Sequence, residues 1–257
     1  MFEENYSFLA RSLGKLGFED TLNGALRRKM EEGQPSFELK AKISHGKEDM
    51  VHELQFEKKK DSGYYFLQSQ NVTLINENKE ELKQRFPFFN QTGFNNDETY
   101  NLMKGRAVRN SIRKEGQEIT RWTYLDLKAP RNEKGNIVFR NPREADLNFS
   151  LVKSLNNLPT QTLAQDEKEN ILKGLQQGNI MEVMLRVNGR PEKVNLQADP
   201  VYNRILVFNS QMEKINFSNS KIQVLEEEKK ELPDSTKKLM EKINDPKPEK
   251  ELKKKVG

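Results

Sequence analysis

The sequence lacks cysteine altogether and contains only two histidines, His45 and His52, in 257 residues. Without cysteine the chain has no disulfide, no thiolate metal ligand and no cysteine nucleophile, which fits a reducing compartment. Two histidines are too few for the usual zinc sites, and we predict neither a metal nor a cofactor. No segment approaches the roughly 20 consecutive apolar residues that span a bilayer, so we expect a cytoplasmic protein without membrane contact.

The motifs of common enzyme classes are missing as well. The chain has no Gly-x-x-x-x-Gly-Lys-Ser/Thr loop, no dinucleotide-binding glycine pattern and no His-Glu-x-x-His pair. Asp126, between Leu125 and Leu127, resembles half of a carboxylate pair, but no second acid stands at a suitable position. We therefore interpret Asp126 as a surface residue of a strand and predict that the protein is not an enzyme.

Positive charge is concentrated in the middle of the chain. The formal net charge is +5, yet residues 104–143 hold eleven lysines and arginines against four acidic residues, a local net charge of +7. The remainder of the chain sums to −2. A local excess of this kind is the electrostatic footprint expected of a segment that contacts nucleic acid.

An internal repeat organises the chain. Residues 5–7 and 148–150 both read Asn-aromatic-Ser, and residues 12–16 and 154–158 both read Ser-Leu-x-x-Leu. Glycines that end predicted helices recur 72 and 73 residues apart, at Gly33, Gly105 and Gly178. A turn glycine follows each of them after 11 to 13 residues, at Gly46, Gly116 and Gly189. Duplication explains the first and last units, whereas the central one is also open to the alternative that such glycines recur in any α+β protein.

We predict an α+β protein of three consecutive modules, each with one or two helices followed by a three-stranded antiparallel meander. The modules span residues 1–78, 98–143 and 144–225. Residues 79–97 form an aromatic linker, whose phenylalanines fill a gap between modules. Residues 226–257 form a charged tail that is disordered or helical.

Strand alternation gives the central module a geometry for binding nucleic acid. In the predicted strand, Leu125 and Leu127 point to one face, while Trp122 and Tyr124 point to the other. If the leucines face the helix, the two rings lie on an open face among arginines, where bases stack on rings and guanidinium groups meet phosphates. The candidate nucleic-acid-binding residues are Arg106, Arg109, Arg113, Arg121, Trp122, Tyr124, Lys128 and Arg140.

Other interpretations of the same residues stay open. A lone tryptophan is more often packed against another part of the protein, and arginines on the outer face of an antiparallel sheet ordinarily serve solubility. The protein is alternatively a scaffold or adaptor without nucleic-acid contact, binding partners through sheet edges or through Leu239 and Ile243 in the tail. The oligomeric state is open.

Several of these segments also carry a family resemblance. Residues 100–108 read Tyr-Asn-Leu-Met-Lys-Gly-Arg-Ala-Val, residues 114–117 read Lys-Glu-Gly-Gln, and Trp122 is followed by Leu-Asp-Leu from residue 125. This pattern resembles proteins of unknown function carried by Bacteroidetes conjugative transposons and related mobile elements. Segments 12–18 and 172–179 are similar to the same proteins, so the resemblance covers residues 4 to 215.

The repeats further resemble domains of unknown function attached to topoisomerase- or primase-like proteins of such elements. The resemblance implies a non-enzymatic accessory protein in a DNA-processing neighbourhood. Its expected partner is DNA or RNA, or a DNA-processing protein of the same element. The resemblance supplies no catalytic residue.

Overall fold

The computed structural model describes residues 2–88, 93–158, 163–187, 190–218 and 221–224. Within these ranges the protein is α+β, with five α-helices and three antiparallel sheets. The predicted α+β class is therefore confirmed. The predicted tail at 226–257 and the predicted turn glycine Gly189 lie outside the described residues.

The first sheet follows two helices that lie on it. Leu9 and Leu13 of the first helix and Leu26 and Met30 of the second are buried, which is the helical spacing of an amphipathic face. The sheet order is β1-β2-β3-β4. The elements are α1 (Phe2–Lys15), α2 (Asn23–Glu31), β1 (Ser36–His45), β2 (Glu48–Lys58), β3 (Tyr65–Ile75) and β4 (Glu81–Pro87).

The central sheet is the smallest and follows a single helix. That helix begins with a capping box, in which the Asn95 side chain accepts from the Glu98 backbone N–H while the Glu98 side chain accepts from the Asn95 backbone N–H. The strands follow in the order β5-β6-β7. The elements are α3 (Asn96–Met103), β5 (Val108–Lys114), β6 (Gln117–Asp126) and β7 (Val138–Arg140).

The third sheet follows a short 3-10 turn at Glu144–Asp146 and two further helices, and its order is β12-β11-β10-β9-β8. A second 3-10 turn, Pro200–Tyr202, lies between its second and third strands. The elements are α4 (Leu151–Asn156), α5 (Gln165–Gln176), β8 (Met181–Val187), β9 (Arg190–Asp199), β10 (Arg204–Phe208), β11 (Lys214–Ser218) and β12 (Lys221–Val224).

The predicted helix ends are confirmed. Gly33, Gly105 and Gly178 follow α2, α3 and α5 and have φ values of +70°, +73° and +80°. This left-handed conformation costs a residue with a Cβ roughly 1–2 kcal/mol, so glycine is the residue that ends a helix in this way.

The predicted strand number is wrong for the two outer sheets, which have four and five strands instead of three. The fourth strand of the first sheet, β4, lies in the segment that we interpreted as an aromatic linker. Its inward positions are Leu82, Gln84 and Phe86. Because the middle one is a glutamine, the sequence does not show the apolar alternation that marks a strand. Gln84 is nevertheless buried, since its side chain accepts from the backbone N–H of Ile137 at 2.7 Å.

Side chains and backbone from the central module cover the outer edge of β4. The Asn136 side chain accepts from the backbone N–H of Arg85 at 3.1 Å, and Arg131 donates to the backbone carbonyl of Lys83 at 3.0 Å. These contacts satisfy backbone groups that a terminal strand otherwise leaves unpaired. The loop between β6 and β7 thus closes one edge of the first sheet.

Both faces of the central sheet are covered by neighbouring modules. On one face, Val108 and Leu125 share a core with Met50 and Phe86 of the first sheet. On the other face, Trp122 joins the core of the third module. The central sheet is therefore an inner layer of the protein, and this position determines where a functional site can lie.

Candidate nucleic-acid interface and inter-module cavity

Trp122 lies on the face of the central sheet opposite Leu125, as strand alternation predicts, but that face is not open. The indole is 0% exposed and meets the Phe149 ring edge-on, with 5.7 Å between ring centroids. The interpretation of Trp122 as an open base-stacking ring is wrong. Its large apolar surface is instead buried by the third module, which covers this face.

Tyr124 occupies the same face and is only partly exposed. Its ring packs against the core of the third module. Burial and, to a smaller extent, the nearby carboxylate of Asp126 together raise the pKa of the Tyr124 hydroxyl to about 12. The two predicted stacking rings therefore belong to the interface between modules.

Two of the predicted arginines on this face are held by carboxylates. Arg109 donates two hydrogen bonds to Glu144, at 2.8 and 2.7 Å, and this bidentate contact lowers the pKa of the Glu144 carboxyl. Arg140 donates to Asp126 at 3.2 and 3.1 Å. The positive charge of these residues is therefore largely compensated inside the protein, by Glu144 of the 3-10 turn that follows the sheet and by Asp126 at the end of β6.

The remaining predicted cations on this side do not converge. Arg106 lies with its guanidinium over the Tyr100 ring, 5.2 Å from the ring centroid, and donates to Asn101. Arg113 and Lys128 are exposed but lie near opposite ends of β6. Arg113 pairs with Glu118, and Lys128 follows Asp126, the last residue of β6. The eight residue steps from Glu118 to Asp126 correspond to about 26 Å at about 3.3 Å per residue. The expected continuous basic face is therefore absent from the described part of the central module.

Arg121 points to the opposite face of the sheet, where a cavity of about 450 Å³ lies between the first and the central sheets. The volume falls within the range of roughly 300–1,000 Å³ that is usual for pockets that enclose a small organic molecule. The side chains that give the cavity its chemistry are Phe86, Phe94, Glu98, Asn110, Arg121, Thr123, Phe139 and Asn141.

One wall of this inter-module cavity is polar because inward positions of β5 and β6 carry polar side chains. Asn110 lies opposite Arg121 in the strand register, and both share a face with Thr123. The Thr123 hydroxyl lies 2.8 Å from the side-chain oxygens of Asn110 and Asn141. Since a hydroxyl has a single proton, it can donate to only one of them, and the two carboxamides keep unused hydrogen-bonding capacity.

The guanidinium of Arg121 is half-buried in this wall. Its Nε lies 3.4 Å from the Asn110 side-chain oxygen, and no carboxylate among the described residues comes within ion-pair distance. Burial lowers the pKa of Arg121. Removing a charge from water without pairing it is costly, so the site favours an anionic ligand.

Glu98 also lines the cavity, but it does not neutralise Arg121. Burial raises the pKa of the Glu98 carboxyl, and the neighbouring Asp97 raises it further. Its side chain is occupied in the cap of α3, where it accepts from the backbone N–H of Asn95 at 3.0 Å. The cavity thus presents one cation without a carboxylate partner among the described residues and one acid at separate positions.

The other wall is aromatic. Phe86 is 2% exposed, and its ring meets Phe139 and Phe94 edge-on, at centroid distances of 5.5 and 6.4 Å. Phe139 and Phe94 are partly exposed, so the cavity has apolar surface that a flat ligand can contact. A flat apolar body with an anionic group matches the two walls together.

Of the eight residues predicted to bind nucleic acid, Arg121 and Arg109 line this cavity, and Arg109 is already paired with Glu144. Sequence analysis missed Asn110 and Asn141. A signal for Asn110 was present, because it stands between Val108 and Ile112 on an inward-facing side of β5. A polar residue at such a position is either satisfied by a neighbour or faces a cavity.

Comparisons of the chain with protein-family models, with curated proteins and with solved structures found no match. Within the described ranges, no group of three or more histidines, aspartates or glutamates is placed to hold a metal ion. None of the helices in those ranges combines the length and the apolar character that a membrane crossing requires.

Proposed function

We propose that this protein is a non-enzymatic accessory protein of a mobile genetic element that binds single-stranded nucleic acid through its central module in the cytoplasm. The observation that carries the proposal is the half-buried guanidinium of Arg121, which has no carboxylate partner among the described residues and stands at an aromatic cavity. The local excess of positive charge between residues 104 and 143 supports it. The resemblance to mobile-element proteins supports a role near DNA processing.

We also propose that the three sheets derive from tandem copies of one helix-plus-meander unit. The equivalent helix ends at Gly33, Gly105 and Gly178 support this origin. On this proposal β4, β11 and β12 are additions to the ancestral unit. They add strands to the two outer sheets, while the central sheet has three strands.

In the proposed complex, a phosphate of the strand lies against Arg121, and exposed cations such as Arg113 add weak contacts further along. A half-buried guanidinium contributes more than a solvent-exposed one, because the surrounding protein screens its charge less than water does. Affinity should fall with salt, since each neutralised phosphate of a single strand contributes about −0.7 to the slope of log K against log salt.

Fluorescence anisotropy with labelled single-stranded DNA, single-stranded RNA and duplex DNA, between about 50 and 200 mM salt, tests the proposal. We expect single strands to bind more tightly than the duplex. The change Arg121→Gln should lower affinity about ten-fold and reduce the salt slope by about 0.7, because one charge-assisted contact is lost. Arg28→Gln is the matched control, since Arg28 is exposed on α2 and does not line the cavity.

Equal losses of affinity for the two variants would contradict a specific role for Arg121. Absence of binding to all three nucleic acids would reject the proposed function.

The second candidate function, a scaffold that binds proteins, is favoured by Phe8. That side chain is 40% exposed on α1 and lines a shallow groove with Tyr64 and Phe66. On that function, Phe8→Ser weakens partner binding and Arg121→Gln leaves it unchanged.

A further inference from the structure

We propose that the inter-module cavity takes up one unstacked nucleobase of the bound strand, with the adjoining phosphate on Arg121. This inference rests on the proposed function and specifies it, because it turns a general contact with single strands into a defined site for one nucleotide. The contacts that carry it are the aromatic wall, the two carboxamides and the position of the unpaired cation.

The aromatic wall fits the flat body of a base. Phe94 and Phe139 both stand edge-on to the buried Phe86 ring and keep exposed surface on the cavity side. Contact between a base and an aromatic side chain tolerates different sequences, because every base has a flat π face. The aromatic wall therefore favours a planar group and does not distinguish one base from another.

The polar wall fits the edge of a base. Asn110 and Asn141 flank Thr123, and their amide nitrogens donate to no residue in the described part of the chain. A carboxamide offers a donor and an acceptor side by side, which matches the hydrogen-bonding edges of nucleobases that single-strand-binding proteins read. The cavity thus has partners for the heterocycle as well as for the phosphate.

The composition of the cavity lining argues against a site for a simple anion. An inorganic anion would use Arg121 but would leave the aromatic wall and the carboxamides without partners. A nucleotide uses all three, because it joins one phosphate to a flat polar ring.

The cavity lies between two sheets, so a base can reach it only when it has left its stack. Extruding a base from a duplex costs a few kcal/mol, whereas a base in a single strand is already accessible. The inference therefore accounts for the preference for single strands that the proposed function includes. DNA and RNA share the base and the phosphate, and separate titrations with each show which one the site prefers.

The test compares a short oligonucleotide with a base-free strand of the same length and charge, for the full-length protein and for Asn141→Leu. Leucine at this position fills part of the cavity and removes one carboxamide, while the Thr123 hydroxyl keeps Asn110 as a partner. Asn71→Leu is the matched control, because Asn71 is half-buried on β3 and lies outside the cavity.

We expect the base-free strand to bind at least ten-fold more weakly than the normal strand to the unaltered protein. Asn141→Leu should lower affinity for the normal strand to a similar extent and leave affinity for the base-free strand unchanged. The reason is that removing the base from the strand and substituting Asn141 in the protein both abolish the contact between the base and the cavity. Asn71→Leu should change neither. If Asn141→Leu unfolds, Asn110→Leu takes its place in the same comparison.

Two outcomes overturn the inference, and they separate it from the proposed function. If both strands bind the unaltered protein equally, the contact is made by phosphates alone, and binding to nucleic acid stands without a base in the cavity. The second outcome is an equal loss of affinity for both strands with Asn141→Leu, which also rejects the base site. If neither strand binds at all, the proposed function itself fails.

Discussion

Single residues of the central sheet show how burial decides the role of a side chain. Trp122 and Arg121 are neighbours in sequence, and alternation sends them to opposite faces of β6. The indole packs into the core of the third module, while the guanidinium reaches the inter-module cavity. The ring chosen for its stacking ability is therefore structural, and its neighbour is the better candidate for binding.

We predict that Trp122→Ala lowers the free energy of unfolding by about 3–5 kcal/mol, because a fully buried aromatic side chain is replaced by a cavity. Urea denaturation followed by far-UV circular dichroism measures this. Met184→Ala is the control, since Met184 is 46% exposed on β8 and should cost less than about 1 kcal/mol. A small loss for Trp122→Ala, together with strong iodide quenching of native fluorescence, would place the ring in solvent.

His52 is a buried histidine whose environment opposes its charged form. Its side chain is 0% exposed, its Nδ1 lies 3.1 Å from the Gln70 side-chain oxygen, and Phe18 meets its ring edge-on. Burial lowers the pKa of His52 to about 4 from an ordinary value near 6.5. The neutral imidazole is therefore the form that fits the folded protein.

The stability of the protein should consequently fall as the pH decreases from 6.5 to 4. In this window the unfolded chain protonates His52 while the folded chain does not, so protons favour unfolding by up to about 3 kcal/mol. Urea unfolding at pH 7 and pH 4.5 measures the change. Because carboxylates also titrate in this range, the change in the free energy of unfolding between the two pH values is compared with that of His52→Gln. The variant should lose less stability on acidification. Equal pH dependence in both proteins would contradict the buried neutral state.

At the scale of secondary-structure elements, the turn after α5 connects the third module to the central one. A Cβ added to Gly178 would lie 3.0 Å from the backbone oxygen of Ala107 and 3.0 Å from the Asn101 Cβ. Asn101 also donates to the backbone carbonyl of Gln177 at 2.7 Å. The glycine therefore permits both a left-handed backbone and close contact between modules.

We predict that Gly178→Ala destabilises the protein by about 2–4 kcal/mol, from backbone strain and overpacking together. Gly116→Ala separates the two causes, because Gly116 has the same φ of +80° and open space around it. The control should cost only the strain, about 1–2 kcal/mol. Chemical denaturation of both variants gives the comparison, and equal losses would show that the contact between modules contributes nothing.

Elements marked by glycine and by apolar periodicity could be predicted from the sequence. The ends of α2, α3 and α5 are such cases, since the backbone conformation there leaves glycine as the residue of choice. β4 could not be predicted, because its inward Gln84 is satisfied by Ile137, a residue more than fifty positions away. Local patterns carry no information about a polar group that is paired over such a distance.

The candidate site shows the same limit. Alternation correctly separated the face of Trp122 from the face of Leu125. Which face is covered depends on the third module, and which arginines are neutralised depends on partners such as Glu144. Only long-range packing supplies these facts. Sequence analysis therefore selected Arg121, which lines the cavity and has no carboxylate partner among the described residues, but it did not predict the cavity.

On the scale of the whole molecule, shared cores join the three modules. Residues of the central module belong to one core with the first sheet and to another with the third. The central sheet has only three strands, and its buried residues Val108, Leu125 and Trp122 lie in cores shared with the neighbouring sheets. Separate folding of the modules would expose these faces to water.

We predict a single cooperative unfolding transition for the described part of the chain. Trp122 fluorescence reports on the junction of the central and third modules, and far-UV circular dichroism reports on all helices and sheets. Their urea midpoints should coincide, which is the usual criterion for two-state unfolding. Two separated transitions would mean that the shared cores are too weak to couple the modules.

The closed edge of β4 has a consequence for synthesis of the chain. β4 ends at Pro87, whereas Arg131 and Asn136, whose side chains cover its edge, are translated more than forty residues later. Until Arg131 and Asn136 have emerged from the ribosome, the edge of β4 has unpaired backbone groups that can pair with other nascent chains. Unpaired strand edges of this kind promote aggregation. Premature stop codons before residue 131 should therefore yield fragments that precipitate even though they contain every strand of the first sheet.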